Sequence, residues 1–324
     1  MQEMYEIHLP ALMNSAIEDL ERPLPDAPGL RTLQGDLIYG GDLSKWRKAA
    51  YAVRARYNLH IAVKNPAALS AAVADAERAF SSNADDFQLV YEENVQNPWF
   101  IFLGNAVNKV QRPGSYITNL MNGTAYYADV VDPRITRYMD NRGADNFRGV
   151  GPGFLIDDEQ GVNVDLTQTT WHSRNVAPLQ MMTYPEMQFI LAEALLSTNP
   201  TAAYEAYLNG ITASMEKVGV STAEILAYTQ DPQVAVGAAN LTLADVMLQK
   251  YIALYLNIET WTDMRRYQYD PSVYVGLEKP SGVRNQLPGQ GWIQRSNIPD
   301  DEPGTNTCLP EIPNQGVKLW LFDN

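Results

Sequence analysis

Residues 183–200, TYPEMQFILAEALLSTNP, decide the fold. Thr183 and Glu186 stand at the spacing of a capping box, which predicts a helix opening at Tyr184. Met187, Ile190, Leu191, Ala194 and Leu195 then recur at steps of three and four, the stripe of a helix with a strong apolar face. The break at Asn199-Pro200 is short. Thr201 reads as the cap of a second helix carrying Tyr204, Leu208, Ile211, Met215 and Val218, and Gly219 is placed to end it in a left-handed conformation. Ala192, Ala194, Ala202, Ala203 and Ala206 would let the two helices pack closely as an antiparallel pair of tetratricopeptide type, although no strict 34-residue repeat is present. The predicted class is mainly α.

Upstream, Asp42 follows Gly40 and Gly41 as a plausible N-cap, and Trp46, Ala50, Val53, Tyr57 and Ile61 form a helical stripe. Asn65-Pro66 is a second start signal, followed by Leu69, Val73, Ala76 and Phe80, so residues from about 42 to 80 read as a helical hairpin. Downstream, a helix from Thr242 carries Met247, Tyr251, Leu254, Tyr255 and Ile258 on one side. The chain is thus expected to be a single domain over 1–324, with a helical scaffold over about 42–80 and 184–268. Residues 83–182 show no sustained period and are rich in Gly, Asn, Asp, Pro and aromatics, and the tail from 269 to 324 has the same character. So long an irregular stretch in a compact protein is usually functional, so helices are expected to scaffold and loops to recognise.

Composition narrows the function. With 24 Lys+Arg against 38 Asp+Glu the net charge is −14, which disfavours nucleic acid. Cys308 is the only cysteine and His8, His60 and His172 are scattered, so neither an intrachain disulfide nor a zinc site is expected, and no cofactor motif is found. No stretch approaches the ~20 apolar residues of a membrane-spanning helix. The opening MQEMYEIHLP lacks the form of a signal peptide.

Aromatic faces stack on the C–H faces of sugar rings while amides bond their hydroxyls, so aromatics interleaved with Asn on loops suit a carbohydrate or peptide surface. The ligand-contact candidates are Trp99, Tyr116, Tyr126, Tyr127 and Trp171, although the run NPWFIFLGN around Trp99 reads as mostly buried. Asp157, Asp158, Glu159 and Asp165 are the carboxylates a hydrolase would draw on, but neighbours in one loop do not specify a pair across a cleft, and DDEQGVNVD lacks calcium-loop spacing. No nucleophile motif is present, and His172 has no nucleophile near it in sequence. Asp263 and Arg266, three apart, are expected to pair on the surface, with Trp261 anchoring the segment by burial. The expectation is a binding protein without a catalytic centre.

Three segments in order, YPEMQFILAEALL, QKYIALYLNIETWTDMRRYQYD and RSNIPDDEPGTN, resemble the SusD/RagB-type outer-membrane nutrient-binding lipoproteins of Bacteroidetes, most closely their starch-binding-associated branch. Arg295, Pro299, Glu302 and Asn306 match the family's terminal pattern, while Ile298 replaces its usual aromatic. GGDLSKW and Asp132-Pro133-Arg134 look like its helix start and D-P-R loop, so the resemblance covers about residues 35–310. It implies a SusD-like helical fold at the extracellular face of the outer membrane, capturing oligosaccharide for a SusC-like TonB-dependent transporter. It also implies a lipid anchor on an amino-terminal segment that this chain would lack. A RagB-like peptide receptor is the alternative within the family, and an intracellular helical protein-interaction scaffold the alternative outside it.

Overall fold

A computed structural model describes residues 2–23, 35–105, 111–153, 163–280, 291–296, 298, 299, 301–306, 308, 309 and 314–323. It is mainly helical. Helices α1 (Leu9–Glu21), α2 (Leu43–Ile61) and α3 (Ala68–Ala76) come first, and after the irregular region α7 (Tyr184–Leu195) and α8 (Pro200–Lys217) form the central antiparallel pair. Then follow α9 (Thr222–Thr229), α10 (Leu243–Ala253) and α11 (Glu259–Arg266). Between the two blocks lie short helices α4 (Pro98–Gly104), α5 (Ser115–Met121) and α6 (Ile135–Tyr138), with α12 (Glu302–Thr305) in the tail. Strands β1 (Phe87–Leu89) and β2 (Leu179–Met182) pair antiparallel, Gln88 opposite Gln180. Among the described residues no helix is long and apolar enough to cross a membrane.

Local chemistry sets the helix starts. Asp42 accepts from the backbone N–H of Ser44 and Lys45, and Thr183 accepts from that of Glu186. Thr242 and Asp245 form a complete capping box, as do Ser221 and Glu224 at the head of α9. At α8 the cap is Asn199, not Thr201: the Asn199 side chain accepts from Ala202 N–H, and Pro200 occupies the first turn, where its missing N–H costs nothing. Gly219 follows α8 with φ +76°, as its placement predicts.

The single apolar stripe expected on α7 is an underestimate. Phe189 and Ala192 enter one buried cluster with α5, α6, α8 and α10, while Met187 and Ile190 enter a second with α2 and α3. The helix is a wall between two cores and is buried nearly all round. On α8, Gly210 lies so close to Phe189 that an added Cβ would sit 2.9 Å from its ring, so the smallest side chain sets the α7–α8 distance. On α2 the buried residues are Ala49, Tyr51, Ala52, Ala55, Leu59 and Ile61, so of the expected stripe only Ile61 is fully buried and Val53 faces solvent, because α3 and α7 approach the alanine side. Helix α10 stops at Ala253, before Tyr255 and Ile258, because Leu256 turns the chain with φ +62°. Ile258 is therefore exposed.

Charges at the helix junctions are buried and paired. Glu186, which does not return to its cap, forms a bidentate pair with Arg56 of α2, both contacts 2.6 Å. Seven residues on, Glu193 accepts from Arg266 Nη2 (2.7 Å) and the Tyr267 hydroxyl (2.6 Å) and lies 3.3 Å from Lys250 Nζ. Asp263 completes the set at 2.8 Å from Lys250 and 2.6 Å from Arg266. The Asp263–Arg266 pair is thus made as expected but in the core. Burial pushes the Asp263 carboxyl up, yet Lys250 and Arg266 outweigh it and hold it at about 2. In the D-P-R loop, fully buried Arg134 grips Asp132 through Nε (3.0 Å) and Nη2 (2.5 Å) and reaches Ser214 and Gln249. At the chain's entry into the irregular region, Asp86 bonds Lys217 of α8 (2.6 Å) and accepts from Tyr184 N–H.

Candidate functional site

Asn97-Pro98-Trp99 opens α4 with three commitments of one side chain and its backbone. Asn97 Oδ1 accepts from Trp99 N–H (2.7 Å), Asn97 Nδ2 donates to Ala177 O (2.8 Å), and Asn97 N–H donates to Asn175 O (2.9 Å). The helix is thereby pinned to the segment leading into β2. Within it only Leu103 is buried: Trp99 is 37% exposed, Ile101 58% and Phe102 40%. The expectation that NPWFIFLGN is mostly buried is corrected here, because a two-turn helix with one inward residue cannot cover its other apolar faces.

Beside Trp99 a cleft of about 50 Å³ is formed where three distant segments meet: Asn97 and Trp99, His172 with Pro178–Gln180, and Tyr255–Asn257. Tyr255 stacks face to face on Tyr138 (5.0 Å between ring centres), and the His172 ring sits edge-on among Tyr138, Trp171 and Tyr255 at 4.8–5.3 Å. Burial lowers the His172 imidazole to about 3, helped by Lys217 and Arg174, so the ring is neutral at ordinary pH. Asn257 Nδ2 donates to Gln180 O and its Oδ1 accepts from Glu259 N–H, which ties the turn after α10 to β2. Gln180 Nε2 and His172 Nδ1 are buried without a hydrogen-bond partner. A larger groove, about 580 Å³, runs between α1 and the α2–α3 pair, but its Arg54, Asn58 and Asp75 are bonded to one another.

Of the five predicted contact residues, only Trp99 lines the cleft. Tyr127 is 0% exposed and has no free face. Tyr126 packs edge-on against Tyr127 and donates to Asp245 (2.9 Å), and burial with that carboxylate pushes its hydroxyl up to about 12. Tyr116 packs on Tyr251 at 5.2 Å. Trp171 is nearly buried, with Arg174 4.9 Å over its ring, and reaches the cleft only through His172. Turn-like contexts, Gly114 and Gly123 for the tyrosines and His172 for Trp171, drew attention to these residues, but the three tyrosine rings fold inward against α8 and α10. Sequence reasoning missed Gln180, Leu179 and Leu256; the Asn-Pro start of α4 was the available signal for Trp99.

Among the carboxylates considered for hydrolysis, Asp157, Asp158 and Glu159 lie outside the described residues, and Asp165 pairs with Arg112 at 2.6 Å. The described residues hold no cluster of three or more His, Cys, Asp or Glu suited to a metal ion. In the tail, Asn306 donates to Glu302 (2.9 Å), two members of the terminal pattern.

Solved structures with the same fold include a chitin-binding SusD homologue from Flavobacterium johnsoniae, with TM-score 0.76, 22% identity, and coverage of 100% of this chain and 73% of that one. A SusD homologue from Bacteroides uniformis gives TM-score 0.72 at 19% identity, covering 100% of this chain and 73% of that one. A SusD/RagB family protein from Bacteroides thetaiotaomicron gives 0.64 at 23%, covering 86% and 64%. No curated protein sequence matches the chain. Residues 2–286 match the family SusD-like_2, described as starch-binding and associating with the outer membrane, and that match with the shared helical fold places the chain in the SusD-like family.

Proposed function

We propose that this protein binds oligosaccharide without catalysis, at the extracellular face of the outer membrane, and hands it to a SusC-like TonB-dependent transporter. The observation that carries the binding reading is Trp99, an indole left partly bare by a helix that Asn97 holds rigidly beside a cleft. An aromatic face presented this way suits the C–H face of a sugar, and a pre-positioned ring loses little freedom when the ligand arrives. The family's description as starch-binding and the chitin-binding name of one structural neighbour support a glycan ligand. The family's outer-membrane association supports the location.

The test is binding of the purified protein to a panel of polysaccharides and a peptide mixture, by affinity electrophoresis and calorimetry, with Trp99→Ala alongside. Retention by at least one glycan and a drop of tenfold or more in Trp99→Ala are expected, with no reducing ends released over hours. Binding of peptides alone would favour a RagB-like receptor, and unchanged affinity in Trp99→Ala would move the site elsewhere. Co-purification with a transporter encoded beside this gene tests the partnership.

A further inference from the structure

We infer that Arg174, beside the cleft, is the counter-charge for a ligand carboxylate, so that the glycan stacked on Trp99 carries an isolated uronic acid among neutral sugars. The inference rests on the glycan-binding reading and names the substrate class. An unmatched charge is the first observation. Arg54, Arg56, Arg112, Arg134 and Arg266 each reach a carboxylate at 2.5–2.7 Å. Arg174 is exposed, and among the described residues its guanidinium meets neither a carboxylate nor another hydrogen-bond acceptor; it lies instead 4.9 Å over the face of Trp171. Partial burial against that ring lowers the guanidinium, and no neighbouring carboxylate offsets the effect. A cation that has lost part of its hydration without gaining a partner is relieved by an arriving anion.

Placement comes second. Asn97 N–H donates to Asn175 O (2.9 Å) and Ala177 N–H to Arg174 O (3.0 Å), which fastens the loop carrying Arg174 to the start of α4. Trp99 stands two residues from one end of the Asn97–Asn175 bond and Arg174 one residue from the other, so their Cα atoms are no more than roughly 18 Å apart. A short oligosaccharide spans that interval. The charge of Arg174 is also felt by His172 in the cleft wall, whose imidazole it helps to hold neutral.

Geometry comes third. Trp171 is 8% exposed and its N–H donates to Arg137 O (2.7 Å), so the platform under the guanidinium is fixed. Stacking occupies a face of the guanidinium and leaves its edge open, and the N–H fork on that edge matches the two oxygens of a carboxylate. The net charge of −14 then limits the ligand: a chain charged on every sugar is repelled by the rest of the protein, whereas a lone carboxylate meets its match at Arg174. A leucine at this position would cover Trp171 without the charge, so cover and counter-charge separate by substitution.

The experiment is affinity electrophoresis through glucuronoxylan and gum arabic, which carry isolated uronic acids, each as such and after carboxyl reduction to the neutral sugar, and through polygalacturonate, charged on every sugar. Four proteins are compared: the parent, Arg174→Leu, Arg174→Lys and Trp99→Ala, with thermal melts of each. The parent is expected to bind at least one of the two sparsely charged glycans about fivefold or more tighter than its reduced form, and polygalacturonate more weakly. That contrast should shrink as NaCl rises from about 0.05 to about 0.5 M. Arg174→Leu is expected to lose the contrast while keeping the parent's affinity for the reduced glycan, Arg174→Lys to keep part of it, and Trp99→Ala to weaken every form that binds. Equal affinity for acidic and reduced forms, failure of both sparsely charged glycans to bind, tightest binding of polygalacturonate, or a contrast kept in Arg174→Leu would overturn the carboxylate contact. If the reduced glycans bind equally well and only Trp99→Ala matters, the glycan reading survives without it; if Trp99→Ala binds as the parent does, the glycan reading at this cleft fails first.

Discussion

The α7–α8–α10–α11 core and the α4 surface treat their residues in opposite ways. In the core, Glu193, Lys250, Asp263 and Arg266 are nearly out of solvent, two negative and two positive charges within hydrogen-bond reach of each other. At α4, Trp99, Ile101 and Phe102 lie toward water on a helix that buries only Leu103. Residue type alone would have sorted these sets the other way. The difference teaches that burial follows how many elements converge on a position. Three helices, α7, α10 and α11, meeting at one junction enclose even charges, which survive there because they neutralise one another, whereas α4, docked by its cap at the surface, encloses almost nothing. Stability should therefore reside in the first region and recognition in the second.

The largest effect is expected from leaving a charge unmatched in the core. Glu193→Ala strands Lys250 and Arg266 against a single carboxylate and should cost about 3–5 kcal/mol of unfolding free energy, read by urea titration. A loss below about 1 kcal/mol would show that the junction tolerates solvent and break the contrast.

The next effect depends on pH. His172 is held neutral in the fold down to about 3, against 6.5 when unfolded, so the unfolded chain takes up its proton first. Stability from this group is intact above pH 6.5 and falls as pH drops toward 3, by up to about 5 kcal/mol at ~1.4 kcal/mol per pH unit. Asp263, lowered from 3.8 to about 2, adds a loss in the same direction below pH 4. In His172→Phe the slope between pH 6.5 and 4 should flatten, and an unchanged slope would mean that the ring is solvated.

Trp99→Ala should reverse the pattern of Glu193→Ala: about 2 kcal/mol lost in ligand binding, the size of an interface anchor, with less than about 1 kcal/mol lost in stability. The smallest effect belongs to Ile101→Ser, on the most exposed apolar side chain of α4, where unfolding free energy should stay within about 0.5 kcal/mol of the parent. A large loss there would show that the α4 surface is packed after all.

Much of the scaffold was legible in the sequence because helix starts are local chemistry. Asp42, Thr183, Thr242 and Gly219 act within four residues of themselves, and the structure places each as its neighbours predict. Faces were less legible. The periodicity of α7 shows an apolar stripe but not that a second core lies behind it, and the pairing of Glu186 with Arg56 spans 130 residues. The candidate contact residues were hardest. Tyr126 and Tyr127 look loop-borne after Gly123, yet their rings turn into the core beside Asp245. The cleft joins residues near 97, 178 and 256, and Leu256 occupies a left-handed position without the glycine or asparagine that would have announced it.

The central claim is that the ligand sits on Trp99 at this cleft while the helical core only holds it in place. The most direct measurement is a crystal structure of the complex with the tightest-binding oligosaccharide from the panel. A sugar ring stacked on the Trp99 indole is the expected result. A ligand bound in the groove between α1 and α2–α3, or anywhere that leaves Trp99 uncovered, would contradict it.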